Sequence, residues 1–326
     1  MKPVLRCCPV CGQGAYEPSL QKGQLSLVRC LECSMVYCNP VSGQFASGEY
    51  YDQAGAGYYL TPAKLEGDYS EARFRRELRL FRKHCHGGAI LDVGCSTGGF
   101  LYQLGRRFPG SYDVLGLDAS GPALDYAASR GIPVARGQFL EEDFGSKQFD
   151  AVSFWAVLEH LLDPKAFLEK ACAILKPGGL CLVLVPNMES LAARMLGGHY
   201  RYIYPQHLNY FTRPTLRRLA GSRFAVIELR TTHFNPIILW QDWRSGGQEV
   251  QDSQRAALLQ RTTAYKQNPL LKPAHALYWL AERLLSAFDL ADNLVCVLRK
   301  TGPTRSPQAE RERNSGDGLG TGRAAG

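Results

Sequence analysis

Two cysteine pairs, Cys8-Pro-Val-Cys11 and Cys30-Leu-Glu-Cys33, stand with eighteen residues between them. A C-x2-C pair brings two sulfurs to one side of a tight turn, and two such turns complete a tetrahedron of thiolates, the donor set of a structural zinc ion. Gly12 suits the first of these turns, and Cys7 and Cys38 are left over. A four-thiolate site has no open position for water, so its expected role is structural. A second constellation is the run Ile90-Leu91-Asp92-Val93-Gly94-Cys95-Ser96-Thr97-Gly98-Gly99-Phe100. It ends an apolar strand and opens a helix, the place where an open α/β sheet lets a nucleotide touch backbone. Twenty positions past Gly98, at the end of the next apolar run, Asp118 offers two oxygens that can accept from both hydroxyls of a ribose. Ser96 breaks the G-x-G-x-x-G spacing, and a dinucleotide fold shares this layout.

Positioning these groups requires strands that end at one edge. Short apolar runs occur at Ala89 to Val93, Tyr112 to Leu117, Ile132 to Ala135, Ala151 to Phe154 and Leu180 to Val185. Helical patterns separate them, the clearest being Asp163 to Leu175, with Asp163 as cap and Pro164 in the first turn. Strand and helix in alternation predict a parallel, doubly wound α/β sheet with helices on both faces and a ligand beyond the carboxyl ends of the strands. Upstream, Ser70 to Lys83 reads as an amphipathic helix bearing Arg75, Arg79 and Arg82 as a basic stripe, with a solvated face or a phosphate contact as its two readings. Downstream, helices are expected near Met188 to Leu196 and Pro214 to Ala220, and strands at Phe224 to Leu229 and Asn293 to Arg299. The expected organisation is a zinc ribbon over 1–45, a linker and helical cap over 46–88, a cofactor domain over 89–300 with a helical insert at about 235–290, and a disordered tail over 301–326. The insert holds Gln251 to Tyr265 and Ala274 to Phe288 as helices, and with Trp240 and Trp243 is expected to govern substrate choice.

The chain has 326 residues, 45% hydrophobic and 21% charged, values of a globular protein rather than a fibrous or disordered one. No uncharged apolar run approaches the roughly 18 residues of a membrane span. Met1 to Cys11 lacks the roughly 7 to 15 apolar residues of a secretory signal, so a reducing cytoplasm is the expected compartment and thiols or metal the expected fate of eleven cysteines. The net charge of +8 is spread along the chain, +2 in residues 1–45 and +1 from Thr301 onward. A nucleic-acid binder more often concentrates basic residues on one face, which makes nucleic acid the second choice of partner.

Ile90 to Leu101, Asp118, Phe149-Asp150 to Glu159-His160, and Leu175-Lys176-Pro177-Gly178-Gly179 through Val185-Pro186-Asn187 resemble, in order, the motifs of class I S-adenosylmethionine-dependent methyltransferases. The cysteine knuckles, Asn39-Pro40 and Pro205-Gln206-His207-Leu208-Asn209-Tyr210-Phe211 resemble the zinc-bearing branch that includes bacterial sugar-modifying methyltransferases. The resemblance implies a Rossmann-like sheet in which Asp92, Gly94, Ser96 and Gly98 hold the amino-acid end of the cofactor and Asp118 its ribose. It places Gln138 and Phe139 near the adenine, although an acid is more usual there, and Phe154 to Val157, Ala156 among them, at the border of the sulfonium and the acceptor. Methyl transfer needs an aligned acceptor and a group to remove its proton. His160 and His207 are the two histidines within these motifs, and each is a candidate base, with Glu159 able to orient an imidazole or the cofactor ammonium. Tyr50, Tyr51, Tyr58 and Tyr59 could lie over the pocket and face a sulfonium.

The leading expectation is therefore a methyltransferase acting on a small molecule or sugar, nucleotide-linked in one form of the reading. Its rivals are an RNA base methyltransferase that uses the ribbon against RNA and a non-catalytic protein that senses the cofactor or binds a partner.

Overall fold

The computed structural model describes residues 2–46, 50, 57, 59–246 and 272–302. Tyr51, Tyr58, the helix expected over Gln251 to Tyr265 and all but the first two residues of the expected tail lie outside them.

The chain begins with an antiparallel ribbon of β1 (Tyr16–Lys22), β2 (Leu25–Cys30) and β3 (Val36–Cys38). Its two knuckles repeat one geometry. The residue after each second cysteine is left-handed, Gly12 at φ 78° and Ser34 at φ 60°. Each returns its N–H to the carbonyl of the first cysteine, at 2.9 Å and 3.0 Å.

After a single turn α1 (Gly43–Ala46), helices α2 (Pro62–Tyr69) and α3 (Arg75–His84) lead into the main sheet. The helix expected from Ser70 starts later because Phe74 sits in the left-handed region at φ 59°. Its ring is held edge-on to Phe100, a tertiary contact that outweighs helical propensity. Then come β4 (Gly88–Val93), α4 (Gly99–Arg107), β5 (Tyr112–Asp118), α5 (Gly121–Ser129), β6 (Val134–Arg136), β7 (Phe149–Trp155), α6 (Pro164–Ile174) and β8 (Leu175–Pro186). Helix α6 starts as expected, Asp163 Oδ1 accepting from Ala166 N at 2.9 Å. In β8 the pairing with β7 skips from Leu175 to Leu180, so Lys-Pro-Gly-Gly forms a bulge and the ladder resumes where the apolar run begins.

The rest comprises α7 (Leu191–Leu196), β9 (Asn209–Tyr210), α8 (Arg213–Ala220), β10 (Phe224–Thr232), α9 (Pro236–Ser245), α10 (Lys272–Ala287) and β11 (Asn293–Lys300). The seven-stranded sheet runs β10-β11-β8-β7-β4-β5-β6. It is parallel from β8 to β6, but β11 is antiparallel to both neighbours, a mixed edge that strand patterning alone does not reveal. The chain leaves β4 in one direction for β5 and β6 and returns across it to β7. The crevice above β4 and β7 is thus the topological switch point, where open α/β sheets bind ligands.

Both faces of the sheet are covered. Leu91, Val93, Val152, Phe154, Val183 and Val185 pack on one side, and Ile90, Ala151, Leu182, Phe100, Leu104 and Phe81 on the other. The first core also contains Cys8, Val10, Cys30, Met35 and Tyr37 of the ribbon. The ribbon therefore keeps its own sheet but shares a hydrophobic core with the cofactor sheet. Strand β9, from far downstream, completes the ribbon sheet by pairing Val36 with Tyr210 and Tyr37 with Asn209. Arg6 closes the join, donating to the carbonyls of Cys38, Leu162 and Leu208 with its guanidinium 5.3 Å over the Tyr37 ring.

Candidate functional site

The turn after β4 builds one end of the site. Gly94, Ser96 and Gly98 all have positive φ, at 71°, 51° and 76°. Gly94 and Cys95 donate to Leu117 O, and Ser96 donates its N–H to Asp118 Oδ2 at 2.8 Å. Two glycines are required by packing. A Cβ on Gly94 would lie 2.6 Å from Val157 Cγ2, and one on Gly98 2.5 Å from Ile132 Cδ1. Gly98 thus shapes the turn from behind, facing α5 rather than the crevice. Ser96 carries left-handed strain of about 1 kcal/mol that glycine would not. Ala156, after β7, shares this conformation at φ 58°, as do Phe74 and His233 of the crevice lining.

Two aspartates mark this end. Asp92 is 3% exposed, and its Oδ1 accepts from Ser153 Oγ at 2.6 Å. Burial, with the Asp118 charge adding to it, pushes its carboxyl up to about 7 despite that bond. Asp118 is also raised by burial, against hydrogen bonds from the backbone of Ser120, Ser96 and Ala119. Each Asp118 oxygen already accepts one backbone N–H, from Ser96 and Ser120, and keeps a lone pair for a further donor.

The other end is built where a short 3₁₀ turn, Leu158–His160, meets the loop before β9. Glu159 is 1% exposed, and burial pushes its carboxyl up to about 8. His160 Nδ1 lies 2.9 Å from Gln206 O and His207 Nδ1 2.9 Å from Tyr202 O. A carbonyl only accepts, so both rings carry hydrogen on Nδ1, and in the neutral ring the lone pair is then on Nε2. Tyr204 OH donates to His207 Nε2 at 3.0 Å. The two imidazoles are 4.8 Å apart, edge to face. Leu208 N donates to Glu159 O, and Asn209 Nδ2 donates to Leu158 O and Leu161 O, so the turn is sewn to the ribbon-bound loop.

Both ends open into one cavity of about 480 Å³, whose walls include Asp92, Gly94, Ser96, Trp155, Ala156, Glu159, His160, His207 and Asp292. Four of its buried polar atoms, Ser96 Oγ, Trp155 Nε1, Glu159 Oε2 and Asp292 Oδ1, have no hydrogen-bond partner among the described residues. Buried polar groups are normally satisfied, so this lining suits a ligand rich in polar atoms. Asp292, like Asp92, is driven up to about 7 by burial, with Asp242 adding to it. Three enclosed carboxylates at elevated pKa favour a ligand that brings positive charge, and the ammonium and sulfonium of S-adenosylmethionine fit that requirement.

At the ribbon, the sulfurs of Cys8, Cys11, Cys30 and Cys33 all lie within 4.8 Å of one another. Cys8–Cys33 and Cys11–Cys30 approach to 3.5 Å. Four soft donors in two matched knuckles fit a tetrahedral zinc ion. Cys7 is exposed and Cys38 is buried outside the cluster.

Several expectations need correction. Phe139 is 2% exposed and packs its ring against Phe144, Phe154 and Phe167, so its side chain belongs to the core. Gln138 is exposed and outside the cavity wall. Trp240 and Trp243 are 53% and 71% exposed on the outer face of α9, while Ile238 lines the cavity and Asp242 is buried. Arg75 and Arg79 face solvent, and Arg82 stacks over Phe108. Arg73 and Glu77 line the cavity instead, together with Tyr50 and Tyr59. Sequence reasoning missed Asp292, the buried Arg201–Asp242 pair and the Glu77–His233 pair, none of which belongs to a spaced motif.

A family model described as a methyltransferase domain matches residues 67–224. A ubiquinone biosynthesis O-methyltransferase of Caulobacter vibrioides is 32% identical over 213 residues, covering 59% of this chain and 82% of that protein. A trans-aconitate 2-methyltransferase of Deinococcus radiodurans is 35% identical over 108 residues, covering 33% of this chain and 42% of that one. Among solved structures, one from the complex between the Haloferax volcanii Trm112 methyltransferase activator and its methyltransferase partner aligns with a TM-score of 0.51 at 16% identity, covering 79% of this chain and 98% of that one.

Proposed function

The chain belongs to the S-adenosylmethionine-dependent methyltransferases, and from that premise we propose that it methylates an oxygen of a small polar acceptor, a sugar or a hydroxylated ring, bound in the 480 Å³ cavity. One observation carries the proposal. The glycine turn after β4 and the Glu159–His160–His207 cluster line the same cavity, which would bring a cofactor on the turn and an acceptor at the cluster together. The acceptor oxygen follows from the O-methyltransferase relative.

When bound, S-adenosylmethionine supplies a methyl group on positive sulfur, already activated for in-line displacement. Asp118 holds the ribose hydroxyls with its remaining lone pairs, Asp92 and the Gly94–Ser96 backbone hold the amino-acid end, and Ala156 and Trp155 border the reacting centre. The acceptor becomes nucleophilic at the Glu159–His160–His207 cluster. By chemistry alone either imidazole Nε2 can take the hydroxyl proton, and His160 is the less buried of the two. The four ribbon cysteines hold a structural zinc ion, which stiffens the wall carrying His207. A reducing cytoplasm suits a chain whose eleven cysteines are all thiols.

Calorimetry with S-adenosylmethionine is expected to show one site per chain, and Asp118→Ala to weaken it roughly 10- to 100-fold, as for a lost hydrogen bond to a charged group. Protein incubated with methyl-labelled cofactor and fractionated cell extract should pass label to small metabolites. Label entering RNA instead, with steep salt dependence, would replace the small acceptor by a nucleic acid.

A further inference from the structure

The cluster at the acceptor end has more donor capacity than one proton transfer uses. Glu159 is buried, and its Oε2 lacks a hydrogen-bond partner among the described residues. Both neighbouring rings donate Nδ1–H to a backbone carbonyl, His160 to Gln206 and His207 to Tyr202. Such a bond fixes the tautomer, aims Nε2 and raises its basicity, and it is the usual support behind a metal-binding histidine. One nitrogen of each ring and one Glu159 oxygen lie within 4.8 Å of one another. Around a single ion with bonds of about 2.1 Å, ligand atoms stand roughly 3 to 3.5 Å apart. Closing the set asks for side-chain rotation, with the Tyr204 hydroxyl turning away from His207 Nε2.

We propose that Glu159, His160 and His207 form a binding site for a first-row divalent cation, a second metal site distinct from the four cysteines. Two imidazoles and one carboxylate suit manganese, iron, cobalt or zinc better than magnesium or calcium, which prefer oxygen throughout. Three protein ligands leave coordination positions open toward the cavity. Those positions select an acceptor with two adjacent oxygens, whose hydroxyl the ion makes more acidic. The inference rests on the methyltransferase reading and refines its histidines, which hold the ion while the acidified hydroxyl passes its proton to water in the open cavity.

The test begins with the full chain as isolated, its cysteine-bound zinc counted, because manganese competes poorly for thiolates. Titration with Mn²⁺ alone, followed by electron paramagnetic resonance, is expected to show one bound ion per chain. Glu159→Gln and His160→Asn should each weaken it at least tenfold while zinc content and unfolding temperature hold. Pulsed resonance on the unaltered chain should show coupling to two imidazole nitrogens, a readout that needs no variant. Absence of Mn²⁺ and Co²⁺ binding up to millimolar concentration, binding unchanged in both variants, or absence of nitrogen coupling overturns the site. Methyl transfer by chain that holds zinc at the cysteines but no second ion overturns the site and leaves the methyltransferase reading intact. Ion binding without cofactor binding does the reverse.

Discussion

At the scale of single residues, Asp92, Glu159 and Asp292 line the cavity with no ion-pair partner among the described residues. Asp92 and Asp292 are raised to about 7, against roughly 3.9 for an unfolded aspartate. Between those values the folded chain holds protons that the unfolded chain has released. The contribution of these two carboxyls to the stability of the ligand-free protein is therefore fully present below about pH 4 and is lost as pH rises through 7. For Asp92 the loss is on the order of a few kcal/mol. Thermal unfolding from pH 5 to 8 should show this slope, and Asp92→Asn should flatten its share. An identical slope in the variant would mean that Asp92 titrates normally. S-adenosylmethionine should restore stability at neutral pH, because its positive charges favour the ionised carboxylates. Asp92 and Asp118 were legible in sequence because they sit at fixed distances from a glycine turn. Asp292 and Asp242 were not, since they enter the site from segments that share no spacing with it and only tertiary packing buries them.

At the scale of elements, glycine and arginine do the joining. In Gly94→Ala a methyl group would meet Val157 Cγ2 while the backbone stays left-handed, displacing the segment that leads to Glu159. A loss of about 1 to 3 kcal/mol is expected, with cofactor affinity reduced at least tenfold. Thermal unfolding and calorimetry check the two separately. Arg6→Ala takes the guanidinium from the carbonyls of Cys38, Leu162 and Leu208, of which Leu208 keeps the Cys38 N–H. It should cost about 3 kcal/mol in chemical denaturation, and Arg6→Lys should recover only part, since an ammonium lacks the planar fork. The parallel strands and α6 were legible from apolar runs and a capping pair. The start of α3 was not, because Phe74 obeys its contact with Phe100 rather than the helical period. The Phe139 side chain is placed by a related effect. Phe139 follows a strand like its counterparts in the resembling family, but aromatic neighbours on three sides claim its ring.

At the scale of the molecule, the ribbon and the cofactor sheet share one core and are joined by a strand of two residues. Stripping metal from the cysteines is expected to lower the melting temperature in one transition, seen alike by ribbon and cavity probes. Two separate transitions would show that the parts fold independently. The zinc spacing was plain in the sequence, but Asn209 and Tyr210 carry no sign that their partners lie near residue 36. Leu208 shows what this arrangement permits. Its N–H holds Glu159 from one side, and its carbonyl receives Cys38 and Arg6 from the other. One residue therefore ties the ribbon to the turn that carries Glu159, while the loops after β4 and β5 stay out of this linkage. Remodelling the amino-terminal fingers gives evolution a lever for acquiring new acceptors with the inherited methyl-donor machinery intact.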